Sequence, residues 1–244
     1  DGVGGRLRTD VVDGFLLDRG FAIFLTGYPE AKQVLDYDAL DLQPFYAGAD
    51  VRFEGGFHRV ADPLRHPIDA VLSLLPSHPI GSTIDKVLVG VVRIQSLFGG
   101  AYDILAAPET TIMKRLENAW FSEAMINRFF VPFMSGIFFN PELQTSSRLF
   151  NFVMRMLATG QNCLPSKGIG AVGEQLASAL PSGSLRLGAK ASGVGAKWGG
   201  TIAERTAREI TVEGGGGGGA SVVTAKRAVV VAVEGPIART LLGD

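Results

Sequence analysis

The sequence predicts a mixed fold, part α/β and part α+β, arranged as two domains. Three observations predict it. Strand-like segments around tight turns open the chain, a mostly helical stretch runs to about residue 160, and strands return after one further helix. Ends that share one character around a different middle read as one domain interrupted by an insertion. The expected division gives residues 1–24 and 161–244 to the interrupted domain. Residues 25–160 form the insert, mainly helical with a β-hairpin. At 244 residues the chain is long enough to bury a substantial core.

Each element has a local reason. Residues 6–11 and 15–18 are strand-like and flank Asp13-Gly14, a strong tight-turn signal. Tyr28-Pro29-Glu30 opens a short helix, with proline in a tolerated first-turn position and the acid near the positive end. A second hairpin joins residues 51–53 to residues 57–60 through Glu54-Gly55-Gly56. Residues 84–94 are apolar on most sides and predict a buried helix. Thr110 or Thr111 caps a helix through Ala119, and Ser122-Glu123 starts the next. Pro132 is expected to kink or end that helix, because it removes a donor and clashes with the preceding turn. Ser146 or Ser147 caps a further helix with Leu149, Phe152, Val153 and Met156 on one face.

The pattern changes at Gly160. Residues 165–168 read as a loop, and a helix over residues 169–180 carries the stripe Ile169, Val172, Leu176 and Leu180 until Pro181 ends it. Strands are expected over residues 185–191, 209–212, 222–225 and 228–233. The glycine run 214–219 is a hairpin tip or loop with no side chains to carry chemistry.

Bulk composition excludes several functions. The 23 Lys and Arg nearly cancel the 24 Asp and Glu, so there is no polyanion footprint and no nucleic-acid partner is expected. The single cysteine, Cys163, rules out an internal disulfide framework and any multi-cysteine metal site, and fits a reducing compartment. Mean hydropathy is +0.23. The most apolar stretch, residues 129–139, falls short of the ~20 residues a membrane span needs. A substrate cavity, a membrane-facing tunnel mouth and an ordinary core would all use that composition, so no transmembrane segment is expected and peripheral membrane contact stays open.

The first residues carry the strongest chemical signal. In Gly4-Gly5-Arg6-Leu7-Arg8-Thr9 the glycines let backbone pass close to a ligand, and arginine offers forked donors to an anion. Two readings stand beside each other: a turn before a strand, and a phosphate neighbour. Asp18-Arg19-Gly20-Phe21, Tyr28-Pro29-Glu30-Ala31 and Asp62-Pro63-Leu64-Arg65 follow in order. So do residues 128–133, Gly136-Ile137-Phe138, Ser146-Ser147-Arg148, residues 165–170 and Val231-Ala232.

In these segments the chain resembles the FAD-dependent amine oxidase and phytoene desaturase superfamily, which also contains protoporphyrinogen oxidase. More narrowly, it resembles the plant, algal and bacterial amine oxidase domain proteins of uncertain substrate. The resemblance runs from residue 4 to about 240. It implies a two-domain flavoprotein whose FAD-binding half is assembled from sequence on either side of a substrate domain. Gly4, Gly5 and Arg6 would lie along the FAD pyrophosphate and ribityl region. Ala191 would contact adenine through its backbone, and Val231 and Ala232 would form a strand near the dinucleotide. The family's Gly-rich turn and ribose-binding acid are expected before Asp1, and its flavin-closing Gly-Asp segment beyond Asp244. Gly243-Asp244 is not that segment, so the chain is expected to be incomplete at both ends.

The implied activity is hydride transfer from an amine or apolar small molecule to flavin, with O2 or a quinone reoxidising it. Alternatives are a carotenoid desaturase or isomerase, a non-catalytic piece that holds no FAD, and a lipid-binding module. The resemblance singles out no catalytic residue and leaves oligomeric state open. Plastid and cytoplasm are both compatible locations. His58, His66 and His78 have no metal-site spacing and read as surface or hydrogen-bonded histidines. Arg65 is read either as a contact for a substrate carboxylate or flavin, or as an ion-pair partner of Asp62. Arg128 and Arg148 snorkel, anchor helices or meet a substrate anion.

Overall fold

A computed structural model describes residues 2–20, 22–75, 77–196, 207–214 and 220–242. The chain divides into two compact units, Arg6–Gln175 on one side and Asp1–Gly5 with Leu176–Asp244 on the other. Phe21, residues 215–219 of the glycine run, and the terminal Gly243-Asp244 lie outside the described residues.

In the first unit β1 (Arg8–Val12) and β2 (Phe15–Arg19) form the expected antiparallel hairpin, with Thr9 opposite Asp18. Asp13 (φ 51°) and Gly14 (φ 82°) supply the two left-handed residues that a tight hairpin turn requires. Strand β3 (Phe24–Leu25) precedes the short helix α1 (Ala31–Val34). The helix begins after Pro29 and Glu30, one step later than the sequence suggests. Strand β4 (Leu42–Pro44) pairs with a strand far along the chain, as described below. The second hairpin, β5 (Gly48–Phe53) and β6 (Gly56–Ala61), turns on Glu54 (φ 48°) and Gly55 (φ 81°).

Helices α2 (Pro67–Ser73), α3 (Thr83–Gln95), α4 (Ala101–Ala106) and α5 (Ile112–Asn118) follow. Thr111 caps α5 through its side chain, as expected. Helix α3 is not wholly buried. Val92 and Arg93 are buried, whereas Ile84, Val87, Val91 and Ile94 are exposed along another face.

Ser122 caps the one-turn α6 (Glu123–Met125), which runs without a break through a π-helical segment (Ile126–Phe130) into α7 (Val131–Phe138). Pro132 therefore neither ends nor breaks the helix. It stands just after the π-helical segment, where the regular α-helical hydrogen-bond pattern is already interrupted. The wide turn just before it is closed by the Val131 amide donating to the Ile126 carbonyl.

Ser146 caps α8 (Ser147–Thr159). Its buried residues are Ser147, Phe150, Met156 and Ala158. Of the expected stripe only Met156 is buried, and Leu149 is exposed. The core of this unit gathers Ile112, Leu116, Met125, Phe130, Met134 and Phe150. Strand β7 (Asn162–Pro165) then lies between β3 and β4, pairing Phe24 with Cys163 and Leu42 with Pro165. Helix α9 (Gly170–Ser178) buries Val172, and Ile169 just before it is buried too. Leu176 and Leu180 are exposed, so the predicted stripe is buried only in its first half.

In the second unit β8 (Ala189–Ala196), β9 (Ala207–Gly214) and β10 (Ser221–Thr224) form an antiparallel sheet with β9 central, followed by α10 (Gly235–Leu242). The strand β8 starts later than predicted. Residues 228–233 do not form a strand, and Val230 and Val233 are exposed. An apolar run without alternation becomes a strand only when neighbouring strands take its backbone hydrogen bonds. No described strand lies beside this one.

Candidate functional site

The motif residues near the start divide into two roles. Gly4 (φ 91°) and Gly5 (φ 57°) form a turn in left-handed backbone, and nothing lies within 4 Å of where a Cβ on Gly5 would stand. Arg6 is exposed. Bare backbone followed by a guanidinium is a donor set that fits a pyrophosphate. Ala191 is exposed on β8, opposite Val212, beside an irregularity in the ladder before Gly193.

Thr9 and Asp18 do something the sequence does not show. Thr9 Oγ1 donates to Asp18 Oδ1 at 2.5 Å. The Ile169 amide donates to Asp18 Oδ1 (3.0 Å) and the Gly170 amide to Thr9 Oγ1 (2.9 Å). The cross-strand pair thus satisfies the first orphan donors of α9. Gly168 sits at φ 84°, and a Cβ there would collide with the Thr9 hydroxyl and the Asp18 carboxylate. Three separated motifs meet here, and their meeting is structural.

A second site lies wholly inside the Arg6–Gln175 unit. It is a pocket of about 150 Å³ between the β5–β6 hairpin, α3, α8 and the π-segment with α7. Phe129, Phe130 and Phe133 wall it together with Val89, Met154 and Leu157. Phe129 stacks on Phe133 and meets Phe130 edge-on, so the aromatic wall is held by its own ring contacts. The π-turn ahead of Pro132 sets where Phe129 and Phe130 lie around the helix.

Asp62, Arg65, Arg93 and Asn162 break this apolar wall. Arg93 Nε donates to Asp62 Oδ2 at 2.7 Å, and the two side chains are 8 % and 13 % exposed. Asp62 Oδ1 accepts from the Leu64 and Arg65 amides, which fixes the carboxylate on its loop. The buried Arg93 Nη1 has no hydrogen-bond partner among the described residues, and neither has Asn162 Oδ1. A buried donor left unsatisfied costs roughly 1–3 kcal/mol, so such an atom calls for an explanation.

The arginine that the sequence pairs with Asp62 is the wrong one. Arg65 turns away and donates to the carbonyls of Leu157 (3.2 Å) and Gly160 (2.5 Å). Arg128 donates to the Pro79 carbonyl (2.7 Å) and lies over the Phe53 ring, and Arg148 donates to the Ala107 carbonyl (2.6 Å) and pairs with Glu109. All three tie helices to loops. His58 and His78 bond to the Phe53 and Arg59 carbonyls, and His66 stacks on Tyr46. Burial, helped by the nearby Lys86 charge, pushes the His78 imidazole below its usual value. Among the described residues no group of three or more His, Cys, Asp or Glu is placed to hold a metal, and no helix is long and apolar enough to cross a membrane.

Sequence reasoning missed Arg93 and Asn162. The signal for Arg93 was present, as a lone charge inside Leu88-Val89-Gly90-Val91-Val92-Arg93-Ile94. Nothing in the sequence marks Asn162, whose role depends on lying between β3 and β4.

Taken alone, these features define a mixed α/β protein with a small aromatic-walled pocket. The family model of the flavin-containing amine oxidoreductases matches residues 1–243, and the chain belongs to that family. The cofactor is accordingly FAD, and the activity of the family is oxidoreduction. No curated protein matches the chain significantly.

Proposed function

We propose that this chain belongs to an FAD-dependent oxidoreductase that draws hydride from a small, largely apolar substrate or amine. The observation that carries the substrate half of this reading is the 150 Å³ pocket walled by Phe129, Phe130 and Phe133. A cavity of that size suits an aryl or short alkyl group, since about 150 Å³ of apolar space accommodates a benzene ring. The same volume argues for a compact reacting end over a long polyene, and so for the oxidase reading over a carotenoid desaturase.

When bound, FAD supplies the electron sink for the reaction. The chain's part is to bind and to orient. Gly4 and Gly5, through the backbone of their left-handed turn, and Arg6, through its guanidinium, would hold the pyrophosphate, and Ala191 would offer its backbone to the adenine. The aromatic wall excludes water around the substrate and fixes its position.

The test is flavin absorbance of the purified full-length protein, followed by FAD titration of the wild type and of Arg6→Ala. A yellow protein is expected, with Arg6→Ala weakening FAD binding by about tenfold or more. A colourless protein indifferent to FAD would overturn the reading. Unchanged affinity in Arg6→Ala would remove Arg6 from the cofactor site.

A further inference from the structure

We infer that Arg65 is the positioning residue that sets the width of the Phe129–Phe130–Phe133 pocket, and so makes it select a single ring over a fused pair. The last carbonyls of a helix have no partner within it, and they carry the negative end of its dipole. At the end of α8 Arg65 answers both needs. Its Nη1 donates to the Leu157 carbonyl and its Nη2 to the Gly160 carbonyl. Leu157, with Met154 one turn before it, is the part of α8 that lines the pocket. Among the described residues no other side chain of the lining bonds to α8.

The backbone that carries Arg65 is held as firmly. Asp62 Oδ1 accepts from the Arg65 amide at 3.3 Å, and Asp62 Oδ2 accepts from Arg93 Nε of α3 at 2.7 Å. The Asp62 amide donates to the carbonyl of Ala47, just ahead of β5, at 2.8 Å. Ala47, Asp62, Arg65 and Arg93 all belong to the lining. Residues 62–65 therefore tie three walls of the pocket together, and the tie to α8 is made by the Arg65 side chain. Arg65 acts on a ligand through the spacing of those walls. About 150 Å³ of apolar space holds one benzene ring, so a fused pair of rings needs the α8 wall to move outward.

Arg155 supplies the comparison. It ties α8 to the end of α3 by donating to the Ser96 and Phe98 carbonyls, both at 3.0 Å, but it is not part of the lining. Removing either arginine loses two bonds of one kind to backbone carbonyls. Only the loss of Arg65 frees a wall of the pocket.

This deepens the substrate reading above and rests on the pocket being a ligand site, but it does not require turnover. The test is ligand-observed NMR titration of the full-length protein with benzyl alcohol and 2-naphthylmethanol, uncharged probes that differ by one ring. The wild type and Arg155→Met are expected to bind benzyl alcohol about tenfold or more tighter than the naphthyl probe. In Arg65→Met that preference should fall by about fivefold or more, because a pocket free to widen gains from the larger apolar surface. Arg65→Lys, whose ammonium cannot fork to two carbonyls, should shift the preference the same way by less, and it carries the test if Arg65→Met does not fold. Met154→Trp and Ala49→Phe, which fill the pocket from two different elements, should each abolish binding of both probes.

An unchanged preference in the Arg65 variants, or an equal change in Arg155→Met, would overturn the role of Arg65 while leaving the pocket as a ligand site. So would a wild type that binds the naphthyl probe as tightly as benzyl alcohol. Failure of both probes to bind the wild type, or binding that survives both filling variants, would overturn the pocket itself and with it the substrate reading.

Discussion

The Thr9 hydroxyl donates to Asp18 across the β1–β2 hairpin, and both residues also take amides from the start of α9. The two amide bonds thereby join the first hairpin to a helix about 150 residues later in the chain. Neither residue has any propensity that would reveal this. The consequence is a stability prediction.

Thr9→Val keeps the β-branched shape and removes the acceptor for the Gly170 amide. It should lower unfolding free energy by about 1–2 kcal/mol, the usual scale for losing a helix cap. Gly168→Ala should cost more than Thr9→Val, because it adds a left-handed penalty to a collision with Thr9 and Asp18. Urea unfolding midpoints with unchanged slopes would check both. A neutral Gly168→Ala would show that this junction is loose.

Asp85 predicts a pH dependence. Burial alone would raise its carboxyl, but hydrogen bonds from the amides and hydroxyls of Ser122 and Ser82 outweigh that and hold it below the usual 3.8. Because the folded value is depressed, the stabilisation is fully present above about pH 3.8 and is lost as pH falls through the lower folded value. Asp85→Asn should cost about 2 kcal/mol or more at pH 7, since an amide cannot accept all four bonds. The gap between wild type and variant should narrow as the pH is taken below 3.8, measured by denaturant titration at each pH. A constant gap would contradict the assignment.

Two phenylalanines on one continuous helix should behave oppositely. Phe130 is 2 % exposed, against Phe121, Phe129 and Phe150, and Phe130→Ala should cost about 3–5 kcal/mol. Phe139 is 87 % exposed and ends α7 at φ 52°. Phe139→Gly should stabilise by about 1 kcal/mol, because glycine occupies that backbone region without penalty. Paired melting curves would test the contrast, and destabilisation by Phe139→Gly would refute it.

Cys163 should be inert in the folded protein. Its thiol is buried beside the Phe24 carbonyl, and desolvation pushes it above the ordinary thiol value. Reaction with a disulfide reagent at pH 8 should be at least about tenfold slower than in denaturant, because the thiolate is the reactive form. Equal rates would mean that the β3–β7–β4 sheet opens readily.

Much of the fold was legible because local chemistry decides it. Asp13-Gly14 and Glu54-Gly55 turn hairpins through left-handed φ, and Thr111, Ser122 and Ser146 start helices where their side chains can take amides. What was not legible depends on distant partners. Helix α3 looks buried on most sides in sequence, yet its packing leaves Ile84 and Val87 in solvent. Residues 228–233 read as a strand, but strand formation needs a neighbour. Pro132 reads as a helix break, but a wide turn placed just before it removes the conflict.

The candidate site divides in the same way. By itself the sequence determined the family likeness, the tight hairpin turn at Asp13-Gly14 and the mixed fold class, because each rests on short-range backbone preference or on motif order. Only the tertiary structure decided that Asp62 pairs with Arg93 and not with the nearby Arg65. That choice is made by burial. Arg65 can satisfy itself on the Leu157 and Gly160 carbonyls, while Arg93, on the inner face of α3, needs a charge beside it, and the loop holding Asp62 is the one that packs there.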